Sequence, residues 1–147
     1  MKIKCIYENW NELSDCFELN KKNLPDADYN LNKTREYIVY GITLKNEYIW
    51  YYLCDEAFTY FPRWKPSPFF EVIDARISRY WIYSYKKLKL FSKAYPIFAY
   101  SEWANNHPDY YDKLTDGEER EVAIFQAYKK LMDVEFPDLS ISEIAQI

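Results

Sequence analysis

At 147 residues the chain is short enough to form one domain, and its 23 acidic and 19 basic side chains leave no apolar run long enough for a membrane-spanning helix. Two glycines exclude a glycine-rich phosphate loop, and three cysteines (Cys5, Cys16, Cys54) without CxxC spacing give neither a disulfide framework nor a zinc pattern. Reduced thiols buried as small hydrophobes, in a cytoplasmic protein, are the expectation.

From the N-terminus, Glu8, Glu12 and Asp15 interrupt any signal-peptide core. Trp10, Leu13 and Phe17 recur at helical spacing and predict a short helix within 7–20. Residues 20–33 are polar, carry Pro25 and read as a connection, so 1–34 forms an N-terminal helix and linker. Residues 35–100 are β-rich. REYIVYGITL alternates as one strand, a hairpin is expected around Asn46, and EYIWYYLCDE follows with apolar residues on both faces. FTYF reads as a third strand. In PRWKPSP, the residues Pro62, Pro66 and Pro68 donate no ladder hydrogen bond, so this stretch must be an edge or a rigid connector. FFEVID and RYWIYSY complete five short strands, which predict an α+β protein built on a small antiparallel barrel or bent sheet. Aromatic residues make up 20% of the chain, and most are expected to fill this small core.

Residues 101–137 read as a loop and a C-terminal amphipathic helix, and 138–147 as a short tail, all within a single domain 1–147. Thr115 and Glu118 have capping-box spacing. Asp116, Glu118, Glu119 and Glu121 suit the positive end of the helix dipole, and Lys129 and Lys130 suit the negative end. Val122, Phe125, Tyr128, Leu131 and Met132 form the apolar stripe, and Pro137 prevents continuation.

Charge is unevenly spread. Residues 71–100 hold six bases against two acids, and residues 101–147 hold eleven acids against four bases. The basic aromatic segment 76–93, with Arg76, Arg79, Lys86, Lys87 and Lys89, offers phosphate neutralisation and base stacking, the pattern of a nucleic-acid-binding module. The net charge of −4 and the acidic stretch that follows weigh against it. A tyrosine- and tryptophan-lined groove for proline-rich peptides is a further reading, although WKPSP in the chain itself can complete the domain internally. His107 could pair with Asp109 or Asp112, but no serine or cysteine marks a nucleophile elbow, and a loop histidine without a catalytic role is the preferred reading. Asp55 and Glu56 are adjacent on a strand and point to opposite faces, so they do not make a carboxylate pair. No enzyme, cofactor or metal site is expected.

The run EYIVYGI…YLCDE…YFPRWKPSPFFEVID resembles a five-stranded SH3-like barrel found in many small bacterial proteins. EWAN…YYDKLTDGEEREVAIFQAYKKLMD is similar to their C-terminal helix, so the resemblance spans roughly residues 35–137. Some of these proteins resemble immunity proteins of contact-dependent inhibition and related polymorphic-toxin systems. The resemblance implies a non-catalytic inhibitor that covers the active site of a cognate toxin domain. Many such toxins are basic nucleases, which an acidic surface would attract. On that reading Asp109, Asp112, Asp116, Glu118, Glu119 and Glu121 form the contact face, with Trp103, Tyr110 and Tyr111 as exposed aromatic anchors.

Overall fold

The computed structural model describes residues 1–14, 28–55, 60–85 and 96–137. The elements are β1 (Lys2–Cys5), α1 (Trp10–Ser14), β2 (Glu36–Ile38), β3 (Gly41–Lys45), β4 (Tyr48–Leu53), β5 (Arg63–Pro66), a 3-10 turn (Ser67–Phe69), β6 (Phe70–Asp74), β7 (Trp81–Ser84), β8 (Ile97–Tyr100), α2 (Ser101–Ala104), α3 (Asp109–Thr115) and α4 (Glu119–Asp133). The fold is α+β. Among the described residues, its strands form two antiparallel sheets, ordered β2-β1-β6 and β5-β4-β3-β8-β7, rather than a closed barrel. One continuous cluster of buried side chains runs through both. Among the described residues, no helix is long and apolar enough to cross a membrane.

The stretch 35–44 divides where the sequence predicts one strand. Val39 donates its N–H to the Met1 carbonyl at 3.2 Å, while Tyr40 donates to the Tyr52 carbonyl at 2.8 Å. These two residues pass the ladder from the small sheet to the large one, and both are buried, which breaks the period-2 alternation. The hairpin at Asn46 is present: Asn46 (φ 53°) and Glu47 (φ 71°) are both left-handed, as a two-residue type I′ turn requires. β5 is an edge strand, in keeping with its prolines. Of FTYF, Tyr60 and Phe61 lie outside any strand, and residues 58 and 59 lie outside the described residues.

Two strands were not anticipated. β1 alternates Lys2 and Lys4 with buried Ile3 and Cys5 and sits in the middle of the small sheet. β8 lies between β3 and β7. Of the N-terminal helix, α1 carries Trp10 and Leu13; Phe17 falls outside the described residues, as does the tail 138–147.

Residues 101–137 contain three helices, and the capping box does not form. Thr115 closes α3, where its Oγ1 donates to the Asp112 carbonyl at 2.9 Å. Gly117 then turns the chain at φ 80°, a conformation that favours glycine. The Glu118 N–H bonds the Lys113 carbonyl (3.0 Å) and the Gly117 N–H bonds the Leu114 carbonyl (3.1 Å), which together make a Schellman motif. Glu118 becomes the N-cap of α4, without a side-chain cap bond. α4 ends at Asp133, before Pro137, and buries Glu121, Phe125 and Met132, whereas Leu131 is 45% exposed.

Candidate partner-binding face

The aromatic side chains beneath α2 and α3 are tied together by geometry that fixes their protons. Trp103 is fully buried against β3, where a Cβ on Gly41 would meet its ring at 3.2 Å. Its ring stacks on Tyr111 (5.5 Å, 12°) and meets the Tyr52 ring edge-on at 4.7 Å. The indole Nε1–H donates to His107 Nδ1 at 3.0 Å. An indole only donates, so His107 must accept at Nδ1 and carry its proton on Nε2. Burial lowers the His107 pKa below the ordinary 6.5, opposed by the Asp112 carboxylate.

This gives a pH prediction. A histidine whose pKa is lower folded than unfolded takes up a proton on unfolding, so its contribution is intact above about pH 6.5 and diminishes as pH falls toward the folded pKa. The midpoint of thermal unfolding is therefore expected to drop between pH 7.5 and 5, and His107→Asn is expected to flatten that drop. An unchanged profile in the variant would place the acid sensitivity elsewhere.

Tyr110 is also buried. Its hydroxyl donates to the Glu121 carbonyl at 2.9 Å, and with its only proton used there it accepts from Tyr100 at 2.8 Å. Burial pushes Tyr110 up to about 12 and raises Tyr100 further. Tyr111 is half-buried and donates to the Pro62 carbonyl at 2.8 Å. The Tyr128 ring stacks on Tyr100 at 4.1 Å and 8°, and its hydroxyl donates to Glu102 at 2.8 Å.

These positions correct the expected contact face. Trp103 and Tyr110 belong to the core and cannot serve as exposed anchors, and the Tyr111 ring is held between Trp103 and Tyr52. Glu121 is 6% exposed, with its carboxylate turned to Arg120 at 3.0 Å. Asp109, Asp112, Asp116, Glu118 and Glu119 are exposed along α3, the Gly117 turn and the start of α4. Asp109 pairs with Lys113 at 3.2 Å. Among the described residues, Asp112, Asp116, Glu118 and Glu119 form no ion pair, so four uncompensated carboxylates share one corner of the molecule. Beside it a cavity of roughly 200 Å³ lies between α2, α3 and α4, with Glu102, Asp109, Arg120 and Glu121 on its wall.

The signal for the buried residues is present in the sequence. Tyr110 and Leu114 are four apart and face inward, while Asp109 and Asp112, three apart, face outward. Glu121, Phe125, Tyr128 and Met132 likewise recur at helical spacing, which shows that Glu121 lies on the inner face rather than simply at the helix start.

The basic residues are compensated where they are described. Arg76 grips Asp74 through Nε and Nη2, and this guanidinium lowers the Asp74 carboxyl to about 2. The Arg79 backbone N–H donates to Glu135 at 2.6 Å and its side chain lies near the same carboxylate. Lys86, Lys87 and Lys89 lie outside the described residues.

Among the described residues, the other buried titratable groups are each held by structural partners or shifted by burial. The Cys54 thiol borders a groove of roughly 300 Å³ with Tyr40, Lys129 and Asp133, but burial pushes it up to about 12, far from a thiolate at neutral pH. In that groove Asp133 already accepts from Tyr40 at 2.5 Å and from Lys129 at 2.7 Å. Asp55 is buried between Arg63 (2.8 Å) and Lys65 (3.2 Å). Among the described residues, no group of three or more His, Cys, Asp or Glu is placed to hold a metal ion. No protein-family model, curated protein or solved structure matches the chain.

Proposed function

We propose that this chain is a non-catalytic inhibitor that binds a basic protein, such as a nuclease toxin domain, and covers its active site from the outside. The finer fold reading, an SH3-like relative of the immunity proteins of contact-dependent inhibition, is part of the same proposal, as is a cytoplasmic site of action. The observation that carries it is the corner formed by Asp112, Asp116, Glu118 and Glu119, whose charges have no internal counterpart among the described residues. The corner stands on a ring-packed base, so a partner would meet a preformed surface. Exposed carboxylates of this kind act mainly on encounter, accelerating association with a positive cleft.

The nucleic-acid alternative draws less support, because Arg76 and Arg79 spend their charge on Asp74 and Glu135.

The test begins with the neighbouring reading frame. Where it encodes a large secreted protein with a variable C-terminal domain, co-expression of that domain with this chain should restore growth. Replacing Asp112, Asp116, Glu118 and Glu119 together by lysine is expected to slow association by about tenfold or more and to flatten its salt dependence. Unchanged association kinetics would remove this corner as the contact. Failure of the wild-type chain to protect would remove the inhibitor reading itself.

A further inference from the structure

We infer that the bare part of one face of the five-stranded sheet is an interface with a second copy of this chain. That face is covered only in part. At one end Tyr128 of α4 stacks on Tyr100 of β8, and on the β4 side Phe70 of the small sheet meets the Tyr51 ring. Between and beyond these contacts no described residue packs on the exposed side chains of the same face. The register places Tyr83, Phe98 and Ile42 side by side across β7, β8 and β3, in line with Tyr51, and Leu44 opposite Ile49 one step along. The Tyr83 and Phe98 rings lie 5.0 Å apart. Tyr85, just past the end of β7 and two residues after Tyr83, would fall on the same face if the alternation continues.

The exposure here is large. Leu44 is 50% exposed, Ile49 41%, Phe98 41%, Tyr83 58% and Tyr85 57%. Aromatic side chains offer about 150–250 Å² each and Leu or Ile somewhat less, so the five, each roughly half exposed, present on the order of 400–500 Å². That is toward the upper end of what monomers expose, and burying it on two copies removes up to about 1,000 Å², the lower bound of a specific interface.

The chemistry favours a second copy over a charged partner. Among the described residues, none of the side chains that form this bare surface is ionisable near neutral pH, so they offer no charge for an oppositely charged protein to match. A two-fold contact requires only that the surface fit itself. Two such sheets stack face to face about 10 Å apart with interleaved side chains. The acidic corner is built from other elements, α3 and α4, and the inference does not depend on any toxin.

Analytical ultracentrifugation of the full chain, from micromolar to near-millimolar concentration, tests it. The wild type is expected to move from monomer to dimer over that range. Tyr83→Lys and Leu44→Lys, each placing a charge at a position at least half exposed, are each expected to raise the dissociation constant by about tenfold or more, with far-UV circular dichroism unchanged. Asp116→Lys, on the acidic corner, is expected to leave the dimer intact. A wild type that stays monomeric throughout overturns the inference, as does a dimer that either folded face variant forms as well as wild type. Use of two variants guards against one that fails to fold.

Discussion

Replacing Trp103 by alanine is expected to lower the unfolding free energy by about 3–5 kcal/mol, the range for deleting a buried large aromatic side chain. Marginal stability makes that a large share of a total of roughly 5–15 kcal/mol. The cost has identifiable parts. The ring fills the space left by the missing Cβ of Gly41, stacks on Tyr111 and meets Tyr52 edge-on. The indole N–H also occupies His107 Nδ1, whose lone pair would lose its partner inside the protein. Urea denaturation read by tyrosine fluorescence and far-UV circular dichroism would measure it. Trp103→Phe should recover part of the loss, because the ring returns without its donor. A Trp103→Ala protein as stable as wild type would contradict the packing described. A surface anchor would show the opposite pattern: normal stability and impaired partner binding.

The second large effect is expected at the buried charges. Asp55→Ala should destabilise by about 3–5 kcal/mol, because it leaves the Lys65 ammonium inside the protein without its carboxylate. Lys65 is 2% exposed and, among the described residues, would keep the Tyr29 carbonyl as its one hydrogen-bond partner. Burial and the nearby Arg63 lower its pKa, against the pull of Asp55. For Asp55, burial alone would raise the pKa, but the bonds from Arg63 and Lys65 outweigh it and hold the carboxyl below 3.8. A carboxylate lowered on folding stabilises above the ordinary carboxylate range, and this contribution is lost as pH falls through the folded value. The double variant Asp55→Asn, Lys65→Met is expected to recover most of the loss, because the fully buried ammonium is gone and Asn can still accept from the partly exposed Arg63. A double variant as unstable as Asp55→Ala alone would show that the charge itself is not the source of the penalty.

Several features were readable from residue chemistry. The hairpin at Asn46 follows from a residue that tolerates positive φ between two alternating runs. The edge position of β5 follows from prolines that cannot donate, and the existence of α4 follows from its polarised charges and apolar spacing. Other features required the tertiary arrangement. The division at Val39 and Tyr40 is set by where Met1 and Tyr52 present their carbonyls, partners that lie far away in sequence. β1 is only four residues long and β8 carries the small residue Ala99, so neither has enough alternation to be distinguished from a loop. Of the candidate site, the exposed acids of α3 and the Gly117 turn were legible, but the rings beside them were not. Tyr and Trp are amphipathic, and their placement among Asp109, Asp112 and His107 suggests an outward direction that the helical rotation between adjacent residues reverses.

The middle strand of the small sheet has a consequence for synthesis. β1 precedes its register partners Ile38 and Asp74 by long stretches of chain, and β8 must be made before β3 and β7 can be joined. The small sheet can close only once β6 has left the ribosome, the large one only once β8 has, and α2, α3 and α4 follow both. Non-local pairing of this kind delays folding and leaves strand edges open during elongation. A prematurely terminated product would therefore expose sticky unpaired β-structure.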